Sequence, residues 1–196
     1  MHQNQFAMKY LILAVICFFQ FNVYSQKPCD YSTNVVDSMG TYKSTKEYLV
    51  HERNFAGKST YIFFSLISDN GTPYLNFQYI QKSSDFLKAN CFNASSKIYL
   101  QLVNGKVVTL VHTNDESCGT MVPADGENKY SRVTTGSFMF LKGSIEDLKS
   151  SAVTLLRVKF TTETLDYVFQ KEFVSELMKQ TYEPENYFIN FLKCIE

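Results

Sequence analysis

Reactive side chains are few in this 196-residue chain, and their spacing sorts them quickly. His112, Asp115 and Cys118 lie close in sequence, and a hairpin before them brings Cys91 near Cys118. A zinc ion accepts such a set of nitrogen, oxygen and sulfur ligands. Only one histidine takes part, however, and the spacing matches no zinc-finger pattern. Four cysteines, Cys29, Cys91, Cys118 and Cys194, follow the N-terminal apolar segment described below. An even number in an exported chain favours disulfides over metal. Of the three possible connectivities, the hairpin register selects Cys91 with Cys118 and leaves Cys29 with Cys194, a bridge tying the two ends together.

Other chemistry is weaker. Gly57-Lys58-Ser59 is like the end of a phosphate-binding loop, but Glu52 stands where its first glycine is required and strand formers follow. Asp69-Asn70-Gly71 and Asp125-Gly126-Glu127-Asn128 offer oxygens but lack the alternating acids of a calcium loop, so they read as turns. A nucleophile needs a base beside it. His51 and His112 are the only histidines beyond the N-terminal segment, and neither stands near a glycine-flanked serine. Asp115-Glu116 and Glu146-Asp147 are adjacent pairs of the solvated kind. No cofactor or metal is expected, and the reading is a non-enzymatic binding or interaction module. A hydrolase without a recognisable motif and a structural envelope component are the alternatives. The partner is an unspecified protein or small molecule.

The elements that position these residues are hairpins. Ile98 to Val111 places Asn104-Gly105 between two runs of β-formers, the signature of a type I′ turn. That turn pairs Leu102 with Val107, Leu100 with Thr109 and Ile98 with Val111, and extending the same register sets Cys91 opposite Cys118. Asn93 to Ser96 is the place where the ladder breaks if it breaks. A second hairpin joins Tyr61–Ser68 to Tyr74–Gln81 about Asn70-Gly71, pairing Ile62 with Tyr79, Phe64 with Phe77 and Leu66 with Leu75. Pro73 predicts an edge or bulge there.

Both hairpins have a second face too apolar to stay wet, with Tyr61, Phe63, Ile67 and Tyr74 in one and Tyr99, Val103, Val108 and Leu110 in the other. Either C-terminal helices cover it through Phe173, Leu177, Phe188 and Leu192, or Tyr61, Phe63 and Tyr74 line a partner-binding groove.

Along the rest of the chain, residues 26–45 read as a polar arm, Glu47–Arg53 as a strand and Ser83-Ser84-Asp85 as a helix cap. Gly119 to Arg132 is the longest polar loop. Val133–Lys142, Ala152–Thr161 and Leu165–Gln170 read as strands, and Ser144-Ile145-Glu146-Asp147 as a capping box. From Lys171 the apolar period turns helical over Phe173, Val174, Leu177 and Met178, and a second helix starts at Pro184. The fold predicted is α+β: about seven antiparallel strands built from hairpins, with two C-terminal helices packed on them. A mainly-β sandwich or half-open barrel is the alternative.

Met1 to Ser25 reads as a secretory signal, because an apolar run too short for a permanent span follows Lys9 and ends at Val23-Tyr24-Ser25. Residues 26–196 then form a single domain, expected in the periplasm or outside the cell, with no membrane span. Seventeen Phe and thirteen Tyr without any Trp suit a β-rich fold. Nineteen basic residues against nineteen acidic ones leave no electrostatic case for nucleic acid. The signal ending Val23-Tyr24-Ser25-Gln26, the aromatic Trp-free β composition and the ending Tyr187-Phe188-Ile189-Asn190-Phe191-Leu192-Lys193-Cys194 together resemble uncharacterised exported proteins of Bacteroidota, flavobacteria in particular. The resemblance implies export and carries over no functional residue.

Overall fold

Asn70 and Gly71 take φ values of 49° and 80°, the two positive angles of a type I′ turn. That turn joins β4 (Lys58–Asp69) to β5 (Thr72–Ser83), and Ile62, Phe64 and Leu66 stand opposite Tyr79, Phe77 and Leu75 as the sequence predicts. These two strands sit within an open antiparallel sheet in a computed structural model that describes residues 27–113, 116–123 and 129–196. Met1 to Ser25, read above as a secretory signal, Asp115 and residues 125–128 lie outside the described residues.

Eleven strands join this sheet. Its order is β1 (Tyr31–Asp37), β2 (Gly40–Thr45), β4, β5, β11 (Tyr130–Phe140), β8 (Val107–His112), β7 (Lys97–Leu102), β12 (Val153–Lys159) and β13 (Thr164–Val168). In addition, β3 (Tyr48–Phe55) pairs with β4 and β10 (Thr120–Pro123) with β11. Two small sheets stand apart, β6 (Cys91–Phe92) with β9 (Ser117–Cys118) and β14 (Phe173–Val174) with β15 (Thr181–Tyr182). The described residues thus hold more than the seven strands expected. Part of the surplus comes from segments read as loop: residues 31–45 form the β1–β2 hairpin, and β10 takes up the start of the Gly119–Arg132 loop.

Ring contacts show that the sheet curls. Tyr79 on β5 lies 5.6 Å from Phe160 just past β12 and 6.2 Å from Tyr167 on β13. His51 on β3 lies 4.9 Å from the same Tyr167. Strands far apart in sheet order therefore face one another across the interior, with no ladder between β3 and β13. The interior is filled by Phe64, Phe77, Phe92, Phe138 and Phe160, each at most 1% exposed. Gly136 on β11 makes this packing possible, since a Cβ there would stand 2.8 Å from the Phe92 ring.

One C-terminal helix closes the structure where two were expected. Pro184 opens a 3-10 turn (Pro184–Asn186) that leads into α2 (Tyr187–Phe191) and a further 3-10 turn (Leu192–Ile195). Phe188, Leu192 and Ile195 enter the main core, with Phe188 5.9 Å from Phe64 and 6.2 Å from Phe140. Burying such a side chain contributes about 1.5–3 kcal/mol. The segment from Lys171 is not a helix. It folds as the β14–β15 hairpin, turning at Lys179, whose φ is 55°. Val174, Leu177 and Met178 are 68%, 46% and 48% exposed, so of the expected stripe only Phe173 packs against a core.

Smaller elements also differ from expectation. α1 (Ser144–Ser150) forms, but its N-cap is Gly143 and no side chain caps it. No helix follows Ser83. Instead Ser83 Oγ accepts the Asp85 N–H in a local turn. Ala56 and Gly57, with φ of 50° and 77°, make a two-residue hairpin between β3 and β4, so Gly57-Lys58-Ser59 is turn and strand.

The β7–β8 hairpin is shifted by one residue from the predicted register. Gly105 donates its N–H to Leu102 O and Leu102 donates to Lys106 O, enclosing a three-residue loop in which only Gly105 has positive φ. This is a type I turn with a glycine bulge. Ile98 therefore faces Leu110 and Leu100 faces Val108. A one-residue slip moves a whole strand to its other face, and here it puts Val108 and Leu110 in the core while Val107 is left 57% exposed.

Candidate functional site

Residues 27–30 and the C-terminal segment meet the sheet at one place, where they enclose a cavity of about 500 Å3. Lys27, Pro28 and Asp30 supply one wall, and Thr45 to Tyr48, at the break between β2 and β3, supply the floor. The turn and second strand of the β14–β15 hairpin, with Met178, Gln180, Thr181 and Tyr182, form the opposite wall. Tyr187 and Phe191 of α2 close the back.

Each wall is fixed. The Cys29–Cys194 disulfide holds the N-terminal arm to the end of the chain. The Tyr31 hydroxyl donates to Cys194 O at 2.9 Å, and Lys46 N–H donates to Asp30 O at 2.9 Å. Glu52 on β3 secures the hairpin wall by accepting the Ser175 hydroxyl and, at 3.1 Å, the Leu177 N–H. Phe173 and Tyr182 stack at 5.7 Å and cover Tyr61 and Phe63 on the outer face of β4.

Tyr48 is the centre of the site. Its ring lies 5.0 Å from Tyr182, 5.2 Å from Tyr187 and 5.2 Å from Phe191, and its hydroxyl accepts the Glu183 N–H at 2.8 Å. Lys27 pairs with Glu183 at 2.8 Å beside it. Burial raises the Tyr48 pKa, more than the Glu183 N–H and Lys27 lower it. Burial likewise pushes the Tyr187 phenol up against a small opposing effect of Thr45. The Tyr187 hydroxyl is enclosed and makes no hydrogen bond of ordinary geometry. Both phenols are protonated at neutral pH, so Tyr48 has a hydroxyl proton to donate while its oxygen is already engaged.

Charges on the rim are balanced: Lys27 and Lys46 stand against Asp30 and Glu47. Lys46 and Asp30 make a loose pair at 3.9 Å, and Glu47 accepts Gln78 Nε2 at 3.2 Å. The cavity can thus take a small molecule with an apolar face and several hydrogen-bonding groups, within the roughly 300–1,000 Å3 usual for such sites.

The partner-binding residues expected from sequence are dispersed. Tyr61 and Phe63 are 6% and 8% exposed in a second core with Leu49 and Tyr182. Tyr74 lies at the far end of the hairpin, in an open depression of about 380 Å3 with Tyr42, Ile67 and Asp69. They form no common groove. The cover is the β14–β15 hairpin through Phe173, while Phe188 and Leu192 belong to the main core and Leu177 stays exposed.

Cys91 and Cys118 are joined by a disulfide as directly opposed residues of β6 and β9. Glu116 lies beside them. His112 is not part of this cluster; it stacks on Phe92 at 5.4 Å and is 7% exposed. In the bridged form neither sulfur is a thiolate ligand. His51 is half-buried, with its imidazole lowered to about 4 by burial first and by Arg53 second. Neither histidine lines the tyrosine cavity.

The cavity itself escaped the sequence reading, which named Cys29 and Cys194 but not the tyrosines between which they draw the ends. Its one available signal is the density of rings over Tyr182, Tyr187, Phe188 and Phe191 next to Cys194. The chain matches no protein-family model, no curated protein and no solved structure.

Proposed function

We propose that the chain is an exported, non-enzymatic binding module that takes a small molecule in the cavity around Tyr48. One observation carries the reading: four aromatic rings and a charge-balanced rim enclose about 500 Å3 between residues 27–30 and the C-terminal segment. Two bridges and the placement of two histidines outside the cavity support it. A disulfide-stapled domain suits an oxidising compartment, and the bases a hydrolase would recruit first, His51 and His112, are packed on Tyr167 and Phe92 away from the cavity.

Solution NMR with a library of small ring-containing molecules tests it. Binders are expected to shift the Met178 methyl and the Phe191 ring, and Met178→Arg, at a 48% exposed position, is expected to abolish the Phe191 shift without lowering the melting temperature. Binders that shift only residues outside the cavity, or that survive Met178→Arg, refute the site.

A further inference from the structure

We infer that the ligand is a neutral saccharide, an inference that rests on the cavity around Tyr48 being the binding site. Lys27 is engaged by Glu183 at 2.8 Å, and Lys46 shares the rim with Asp30 at 3.9 Å. An anionic ligand would meet the Asp30 and Glu47 carboxylates, and a cationic one would meet the two lysines. Neither sign gains a site of its own, which leaves a molecule of no net charge.

Surface chemistry narrows the class. Tyr48 and Phe191 are the half-exposed rings of the cluster, while Tyr182 and Tyr187 are 3% and 1% exposed behind them. Two ring faces favour a flat apolar surface on the ligand. Around these rings stand the Tyr48 hydroxyl with a proton to give, the Gln180 amide, and the carboxylates of Asp30 and Glu47. An alkyl chain in this position would offer no acceptor to the Tyr48 proton and no donor to the Asp30 and Glu47 carboxylates, which stay exposed to solvent. A sugar ring satisfies both demands. Its C–H face rests on an aromatic ring, and its hydroxyls donate to carboxylates and accept from phenol and amide. The same site rejects the deoxygenated analogue, because a cavity built to hydrogen-bond hydroxyls discriminates strongly against their loss.

The test uses the full mature chain and named probes. The chain has no Trp, so its intrinsic fluorescence is that of tyrosine, and a change seen in the wild type but not in Met178→Arg is assigned to the cavity around Tyr48. Titrations are run with glucose, galactose, N-acetylglucosamine, cellobiose and maltose, and in separate arms with phenylalanine, choline and decanoate. A neutral sugar is expected to bind and to be recovered uncleaved. Met178→Arg is expected to abolish its binding. The exposed pair Asp30→Asn with Glu47→Gln is expected to weaken it about tenfold or more, the loss that follows from removing charge-assisted hydrogen bonds. Phenylalanine, choline or decanoate binding in a way that Met178→Arg blocks, with no sugar binding, overturns the saccharide class and leaves the cavity as the site. No binding in any arm, when the fragment experiment is also blank, overturns both. Cleavage of cellobiose or maltose keeps the ligand class and refutes the non-enzymatic reading.

Discussion

Removing the Cys29–Cys194 bridge separates the energetics of the two disulfides. The bridge spans 165 residues of sequence, whereas Cys91–Cys118 spans 27. In the chain-entropy treatment a closed loop of the first size removes about 5 kcal/mol of denatured-state freedom at 25 °C and one of the second size about 3.5 kcal/mol. The informative variants are Cys29→Ala with Cys194→Ala, and Cys91→Ala with Cys118→Ala. Alanine is preferred because Cys194 is 1% exposed, and serine would bury a hydroxyl there. Equilibrium urea unfolding is the assay, with the slope of the transition recorded as well as its midpoint. The terminal pair is expected to cost the more, by about 1.5 kcal/mol, and to steepen the slope as the unlinked denatured chain exposes more surface. It is also expected to release Lys27, Pro28 and Asp30 from the cavity and so to lose fragment binding, which the Cys91/Cys118 variant keeps. Equal costs, the reverse order, or undisturbed binding without Cys29–Cys194 would falsify the reasoning. Non-reducing digestion that recovers Cys29 joined to Cys91 or Cys118 would do so sooner.

Two further outcomes follow from burial. Phe63→Ala is expected to cost about 3–5 kcal/mol because the ring is 8% exposed between Leu49, Tyr61 and Tyr182; Tyr74→Ser, at the open end of the same hairpin, should cost below about 1 kcal/mol, and urea midpoints compare the two. The His51 imidazole has its folded pKa depressed from 6.5 to about 4, so between those values the unfolded chain binds the more protons and stability falls as pH drops through this window. His51→Gln should flatten the unfolding free energy between pH 6.5 and 4, with Arg53, Glu52 and Tyr167 left in place, and an unchanged slope there would contradict the burial of that ring.

Two Asn-Gly pairs show what turn chemistry can and cannot decide. Around Asn70-Gly71 the alternation of Ile62, Phe64 and Leu66 with the facing Leu75, Phe77 and Tyr79 agrees with a two-residue turn, and the register follows to the residue. Around Asn104-Gly105 the dipeptide serves equally as the end of a type I turn with a bulge. The choice falls to burial, since Ile98, Leu100, Leu102, Val108 and Leu110 share one face only when the loop holds three residues. The even-numbered apolar residues on both strands were visible in the sequence and outweigh the preference of the turn. Cys91 does face Cys118, yet not through that ladder. Between the two ladders Asn93 to Ser96 span four positions and 112–116 five, so the registers differ by one residue and the Cys91–Cys118 pairing is not the continuation of one unbroken count.

Segment 171–182 and the cavity beside it were illegible for a common reason. Phe173, Val174, Leu177 and Met178 have helical spacing, but spacing states only which residues would share a face if a helix formed. What decides is the outer face of β4, where Tyr61 and Phe63 need aromatic cover, and a hairpin delivers Phe173 and Tyr182 there together while a helix would deliver Phe173 alone. That demand arises more than a hundred residues away, from an element whose second face only tertiary structure exposes. The cavity compounds the difficulty, because its walls come from residues 27–30, 45–48, 178–182 and 187–191, and no local period links them. Cys29 and Cys194 were legible, and they imply that the chain ends are neighbours. A bridge at Cys194 draws the aromatic residues just before it against residues 27–30. Tyr187 and Phe191, two helical turns and one turn before it, are the rings so placed, and Tyr48 joins them because β3 begins where the arm crosses it.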